Sequence, residues 1–184
     1  MNVPSEIKSI VTRVEQAGGN AMLVGGAVID VICERQPKDW DIEVFGLSFE
    51  RLESIFEDKG AKMVGREFGI LKLSAEKCGG FDVDLNVPRR DNHIGVGHSD
   101  LRVDLDPTMT FKEACRRRDF TINAMACDLS TGEIVDPFGG MSDLASGILR
   151  ATDETLFVQD PLRALRAMQL LARKARVVDP STMN

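Results

Sequence analysis

Residues 25–46, GGAVIDVICERQPKDWDIEVFG, decide the fold, because they pack a glycine turn, a short helix and an Asp-x-Asp strand into one continuous stretch. The apolar run 21–24 ends at Gly25 and Gly26, where no Cβ obstructs a ligand approaching the backbone. Ala27, Val28, Val31 and Ile32 recur at helical spacing, so the free N–H groups of a helix start point back into the glycine turn and attract anions. Pro37 ends that helix. Residues 39–45, DWDIEVF, then alternate acid with apolar at period two, as a half-buried strand does, with the acids on one face. Positions i and i+2 of a strand lie about 6.6 Å apart. Asp39 and Asp41 can therefore grip a pair of hard cations from one side, and Mg2+ is the guest their chemistry suits. Two such ions roughly 3.5–4 Å apart clamp the attacking and leaving oxygens of a phosphoryl or nucleotidyl transfer. Alone, a Gly-Gly pair is more often a plain turn and an Asp-x-Asp more often a solvated strand face; in this order and this close, the two favour function.

With 184 residues, 43% hydrophobic and 28% charged, the chain fits one ordinary domain able to bury a core. No apolar run approaches the roughly 20 residues of a membrane span and the N-terminus lacks a signal-peptide pattern, so a cytoplasmic protein without membrane contact is expected. Cys33, Cys78, Cys115 and Cys127 form no C-x-x-C pair, which argues against zinc and for reduced thiols. A net charge of −6 argues against a broad nucleic-acid surface. Basic residues are nevertheless concentrated: Arg116, Arg117 and Arg118 stand in a row, and residues 160–176 set Arg163, Arg166, Arg173, Lys174 and Arg176 against Asp160 alone. Such runs are usually solvated faces, so they support a focused anion site only in combination with the motifs.

Ser5 is placed to cap a helix with Ile7, Ile10, Val11 and Val14 on one stripe, and residues 48–59 repeat that logic with Phe49, Leu52, Ile55 and Phe56. Residues 61–64, 68–74 and 81–87 read as strands of a mainly antiparallel sheet, the last with Asp82 and Asp84 on one face. Residues 91–108 lack usable periodicity and read as a mobile loop carrying His93 and His98. Thr110 and Glu113 have the spacing of a capping box that opens a helix ending at the arginine row. Planar guanidinium forks suit polyphosphate, because they donate to two oxygens at once. Near the end of the chain, Asp160 caps a helix, Pro161 takes its first position, and Leu162, Leu165 and Met168 are expected to face the core. Asp160 and Arg163 are then neighbours on one helix face, an acceptor beside a donor, which complements a nucleobase edge; in isolation such a pair is nearly always a surface salt bridge.

LVGGAVID followed by PKDWDIEVFG resembles the head domain of the class II tRNA nucleotidyltransferase and bacterial poly(A) polymerase family, within the DNA-polymerase-β-like superfamily. RRRDFTINA at residues 116–124 is the most specific further match, and QDPLRALR at residues 159–166 resembles the family's Glu-Asp-x-x-Arg element. The resemblance implies an α+β fold: a mixed, mainly antiparallel sheet flanked by helices over residues 1–150, followed by the beginning of a helical neck over 151–184. It also implies that Asp39 and Asp41 hold the metals and that Asp84, in VDLNVPRR, is a third catalytic carboxylate. By the same resemblance Gly25 and Gly26 border the triphosphate, Arg118 contacts the nucleotide, Asp119 the ribose, Asn123 supports the sugar or its loop, and Asp160 and Arg163 pair with the base, with Arg166 following. The stretch DPFGG before Asp143 is expected to form a tight turn and helix cap joining head to neck. The chain departs from the pattern at Ile29, where the family carries an arginine, at Gln159, where it carries Glu, and at Gln169, where some members carry Arg.

The function so implied is Mg2+-dependent addition of CMP and AMP, from CTP and ATP, to the 3′ end of tRNA. Family members continue through neck, body and tail helices that hold the tRNA, so RNA affinity is expected to be weak without them, and a partner chain could supply them. His93 and His98 then face solvent or tRNA, since transfer on two metals needs no histidine base. Poly(A) synthesis shares these motifs. A nucleotide-binding module without transfer activity is the rival from another class, and a sugar-nucleotide or antibiotic nucleotidyltransferase would leave Asp160 and Arg163 unexplained.

Overall fold

The computed structural model describes residues 3–64, 69–93, 101–173 and 175–183. Helix α1 (Ser5–Gln16) leads into strand β1 (Asn20–Val24), helix α2 (Gly26–Ile32), strand β2 (Asp39–Phe45) and helix α3 (Phe49–Ile55). Strands β3 (Lys62–Val64), β4 (Ile70–Leu73) and β5 (Asp82–Asn86) follow, then β6 (Arg89–His93) and β7 (Leu101–Leu105), and helix α4 (Phe111–Arg116). The last part holds β8 (Ala126–Asp128), β9 (Ile134–Val135), α5 (Gly140–Ser146), β10 (Ile148–Leu149), α6 (Glu154–Phe157), α7 (Leu162–Leu171) and β11 (Val177–Val178).

Seven strands form one sheet in the order β3-β4-β5-β2-β1-β8-β9. The pairing of β2 with β5 is parallel, and every other pair in this sheet is antiparallel. The fold is the expected α+β arrangement. Alternation along β2 explains why its strand lies in the centre: Trp40, Ile42 and Val44 are fully buried and join Ile7, Ile10 and Val14 of α1 and Leu52 of α3 in the main core. Burial of each such side chain stabilises the fold by about 1.5–3 kcal/mol before conformational entropy is counted. The opposite face pairs Met22 with Glu43 and Val24 with Ala126, and a small apolar cluster covers it where Phe45 meets Phe111 of α4 edge-on at 6.2 Å. Further along β2, that face is left to the carboxylates.

Three expectations need correction. Residues 91–108 are not a loop throughout, because β6 and β7 pair antiparallel from Arg89 opposite Leu105 to His93 opposite Leu101. Residues 94–100, with His98, and the side chain of His93 lie outside the described residues. Pro4, not Ser5, stands at the N-cap of the first helix, which has no side-chain cap, and the Ser5 hydroxyl donates to Glu6. Leu162, Leu165 and Met168 do not face the core: they are 48%, 58% and 68% exposed.

Other local readings hold. Thr110 and Glu113 form the reciprocal capping box of α4. Asp136 accepts from the N–H groups of Gly140 and Met141, fixing the turn before α5, and a Cβ at Gly140 would collide with the carbonyl oxygen of Thr121. All four cysteines are free, and burial pushes the Cys115 thiol up to about 12. No helix among the described residues is long and apolar enough to cross a membrane.

Candidate functional site

The acids of β2 lie on one face at graded depth: Asp39 is exposed, Asp41 half-buried and Glu43 buried. The parallel register sets Asp39 opposite Asp82, Asp41 opposite Asp84 and Glu43 opposite Asn86. Two carboxylates thus stand abreast twice on adjacent strands. From β4, Lys72 is paired with Asp84 in register, and its Nζ lies 3.6 Å from Asp84 and 4.0 Å from Asp82.

Burial, then the charge of Asp84, push the Asp41 carboxyl above the ordinary range; Arg118 partly offsets this, and Asp39 adds to it. Asp84 Oδ1 is buried and has no hydrogen-bond partner, Lys72 Nζ at 3.6 Å being its ion-pair neighbour. Crowded, under-satisfied carboxylate oxygen is what a hard cation relieves. Among the described residues, no three His, Cys, Asp or Glu side chains form a ready cage for a metal. Mg2+ does not need one, since it takes one or two carboxylates and completes its octahedron with water and substrate phosphate. The donors here fit that ion.

Glu43 was not singled out in the sequence, and it has the deepest charge on the strand. Arg118 Nη2 donates to Glu43 Oε2 at 2.9 Å, and Arg117 Nη2 lies 3.8 Å from the other oxygen. Burial works against the charge on Arg118, but Glu43, with Cys115 and Asp119 adding to it, outweighs burial, and the guanidinium pKa is raised. The available signal was the third acid of Asp-x-Asp-x-Glu on a strand with one buried face, which demands a cation. Lys72 was missed too, since its place becomes visible only from strand register.

Asp119 is a buried hub: Oδ1 accepts from its neighbour's N–H on Phe120 and from Asn123 Nδ2, and Oδ2 accepts from Arg166 Nε at 2.6 Å. Arg163 reaches back across the same junction, donating to the carbonyls of Leu156 and Arg117, with its guanidinium 5.9 Å from the Phe157 ring centre. Asp160 Oδ1 accepts from the N–H of Leu162, but Asp160 stands one residue before the N-cap of α7 rather than at it: Pro161 holds that position, with no side-chain cap, and Leu162 begins the helix. Asp160 and Arg163 do not salt-bridge to each other in place of these bonds.

One cleft of about 350 Å3 gathers Gly25, Gly26, Asp41, Arg118, Asp119, Asn123, Asp160, Arg163 and Arg166. Gly25 has φ +70°, and a Cβ there would stand 3.7 Å from Asp41 Oδ2, so the glycine suits both the turn and the approach to the acid. A neighbouring cleft of about 320 Å3 holds Asp39 with Asp41, Gly26, Asp30 and Lys38. Ile29, by contrast, is 1% exposed and packs in the main core, so it offers nothing to either cleft.

Residues 21–150 match the family model described as the poly(A) polymerase head domain. Multifunctional CCA proteins from Stenotrophomonas maltophilia (strain R551-3) and Xanthomonas euvesicatoria pv. vesicatoria (strain 85-10) are each 39% identical over 88% and 83% of the chain. The chain spans only 38% and 35% of the length of these two relatives. Among solved structures, the Bacillus stearothermophilus CCA-adding enzyme in complex with CTP is similar with a TM-score of 0.78 at 28% identity, over 98% of this chain and 42% of that one. A tRNA nucleotidyltransferase complexed with a primer tRNA and an incoming ATP analog gives 0.72 at 29% identity, over 95% and 47%.

Proposed function

This chain belongs to the poly(A) polymerase head-domain family, and on that premise we propose that it is the nucleotidyltransferase head of a CCA-adding activity, taking CTP and ATP and extending a tRNA 3′ end. The observation that carries the reading is the single cleft in which Asp41, abreast of Asp84, faces Gly25, Gly26, Arg118, Asp160 and Arg163. A nucleoside triphosphate brings three things to such a place: polyphosphate, sugar and base. Gly25 and Gly26 admit phosphate close to the backbone, and Arg118, steadied by Glu43, donates to it. Asp119 and Asn123, already joined to each other, border the ribose. Asp160 keeps one carboxylate oxygen beyond its bond to the Leu162 N–H and Arg163 is fixed by two carbonyls, so acceptor and donor meet the base edge with little freedom left to lose.

Asp39, Asp41 and Asp84 would hold Mg2+, which when bound supplies charge neutralisation and makes the attacking hydroxyl more acidic. Domain boundaries at residues 1–150 for the head and 151–184 for the start of a neck, and a partner chain supplying body and tail helices, belong to the same proposal. A nucleotide-binding module without transfer is the second reading, and buried Ile29 is the observation that favours it. Incubation with Mg2+, labelled CTP and a tRNA lacking its 3′ end separates the two. Incorporation is expected; CTP binding without incorporation would favour the module.

A further inference from the structure

Four charged residues stand in one row across four adjacent strands: Lys62 on β3 pairs with Lys72 on β4, Lys72 with Asp84 on β5, and Asp84 with Asp41 on β2. Residues directly opposite one another share a face of the sheet, so two cations there meet two carboxylates, and like charges repel within each half. Lys72 is the cation at the boundary. Its Nζ lies 3.6 Å from Asp84 Oδ1 and 4.0 Å from Asp82 Oδ1. Both are ion-pair distances, too long for a hydrogen bond. Asp84 Oδ1, buried and without a hydrogen-bond partner, is thus neutralised but not satisfied. The charge of Lys72 is felt at Asp41 as well: burial, Asp84 and Asp39 push that carboxyl up, and Arg118 and then Lys72 pull it down.

We propose that Lys72 competes with a divalent cation for Asp84, standing in for the ion in the resting site and yielding the carboxylate when the ion binds. The inference rests on the metal role of Asp41 and Asp84 proposed above, and makes Lys72 a positioning residue beside them. An ammonium is a compact, strongly hydrated single charge. With Lys72 47% exposed, its pairing with Asp84 is screened by solvent and weak enough to be displaced. A divalent ion brings twice the charge to the same oxygen and can draw on Asp41 abreast of it. Strand order places Lys72 away from the nucleotide: β4 lies on one side of β2, and β1, which leads into Gly25, lies on the other. Lys72 is not part of the lining of the nucleotide cleft, so its charge acts on the metal ligands rather than on CTP. The consequence is a resting site with lowered affinity for Mg2+, in which Asp84 is held in reserve.

The test is a metal titration without nucleotide, with Mn2+ as the paramagnetic probe for Mg2+ and free Mn2+ read by electron paramagnetic resonance. Lys72→Met removes the charge and keeps an apolar stem, and Lys72→Arg keeps the charge; the side chain is half exposed, so the fold is not at stake. Lys72→Met is expected to bind Mn2+ about tenfold more tightly than the unaltered chain, and Lys72→Arg to show no gain. Competition for one carboxylate also requires non-additivity: in an Asp84→Asn background, Lys72→Met should gain less than about twofold. An equal gain with and without Asp84 would reduce Lys72 to a general field effect and overturn the proposal. So would an unchanged affinity in Lys72→Met, or the same gain in Lys72→Arg. Asp41→Asn separates the two levels of the argument. If it abolishes Mn2+ binding while Lys72→Met changes nothing, this inference alone falls; if it leaves Mn2+ binding intact, the metal reading beneath falls with it.

Discussion

Arg118 donates to Glu43 at 2.9 Å across seventy-five positions of sequence, and this buried ion pair joins the carboxylate strand to the arginine motif. Glu43 is the partner that makes a buried guanidinium tolerable beside the cleft. Breaking such a pair leaves a charge without compensation, at a cost of about 3–5 kcal/mol where burial is complete and toward the lower end here, with Arg118 19% exposed. Glu43→Leu should therefore unfold at markedly lower urea than the unaltered chain, and Glu43→Gln, which keeps an acceptor, should lie between. Equal midpoints for all three would remove Glu43 from the account.

Asp41 predicts an inverse relation between stability and function. A carboxyl whose folded pKa is raised contributes stability that is complete below its unfolded value and is lost as pH rises through the folded one. At about pH 7 the Asp41 carboxyl is thus a net burden, and Asp41→Asn should raise the urea midpoint while nucleotide transfer is lost. The gain should shrink toward about pH 3, where both forms are neutral. Mg2+ at neutral pH should stabilise the unaltered chain and leave Asp41→Asn nearly unmoved; a variant that gains equally from Mg2+ would argue against Asp41 as a ligand.

The face of α7 gives a prediction of the opposite kind. Leu165 and Met168 are 58% and 68% exposed, so Leu165→Lys with Met168→Lys should change unfolding free energy by no more than about 0.5 kcal/mol per site. Leu52→Ala, at a fully buried site, should cost about 2–5 kcal/mol. Comparable losses in the two experiments would mean that the stripe is covered.

Those leucines also mark how far the sequence could be read. Period-two alternation in DWDIEVF put β2 and its acids on the right faces, and Thr110 with Glu113 gave the capping box, because each signal is local and complete within a few residues. Period three to four along α7 identified an apolar stripe but not its neighbour, since periodicity says which residues share a face and nothing about what that face meets. The β6–β7 pairing was read as loop because RRDNH on β6 is polar at every position, so no period-two alternation marks the strand. The Glu43–Arg118 pair and the place of Lys72 depend on strands brought together from distant sequence, so no window contains them.

Gly25 tests the turn itself. Its φ of +70° is disfavoured for any residue with a Cβ, so Gly25→Ala should cost about 1–2 kcal/mol. The new methyl group would also stand against Asp41, so nucleotide affinity should fall by more than stability explains. Full CTP affinity in a folded Gly25→Ala protein would show that no phosphate comes close there.

On the proposed function, one cleft binds a nucleoside triphosphate and reads its base through Asp160 and Arg163. Calorimetry of the purified chain in Mg2+ with CTP, ATP, GTP and UTP tests it most directly. Binding of CTP and ATP in preference to GTP and UTP, with the preference erased by Asp160→Ala, is the result predicted. Equal affinity for all four, or none for any, would contradict it.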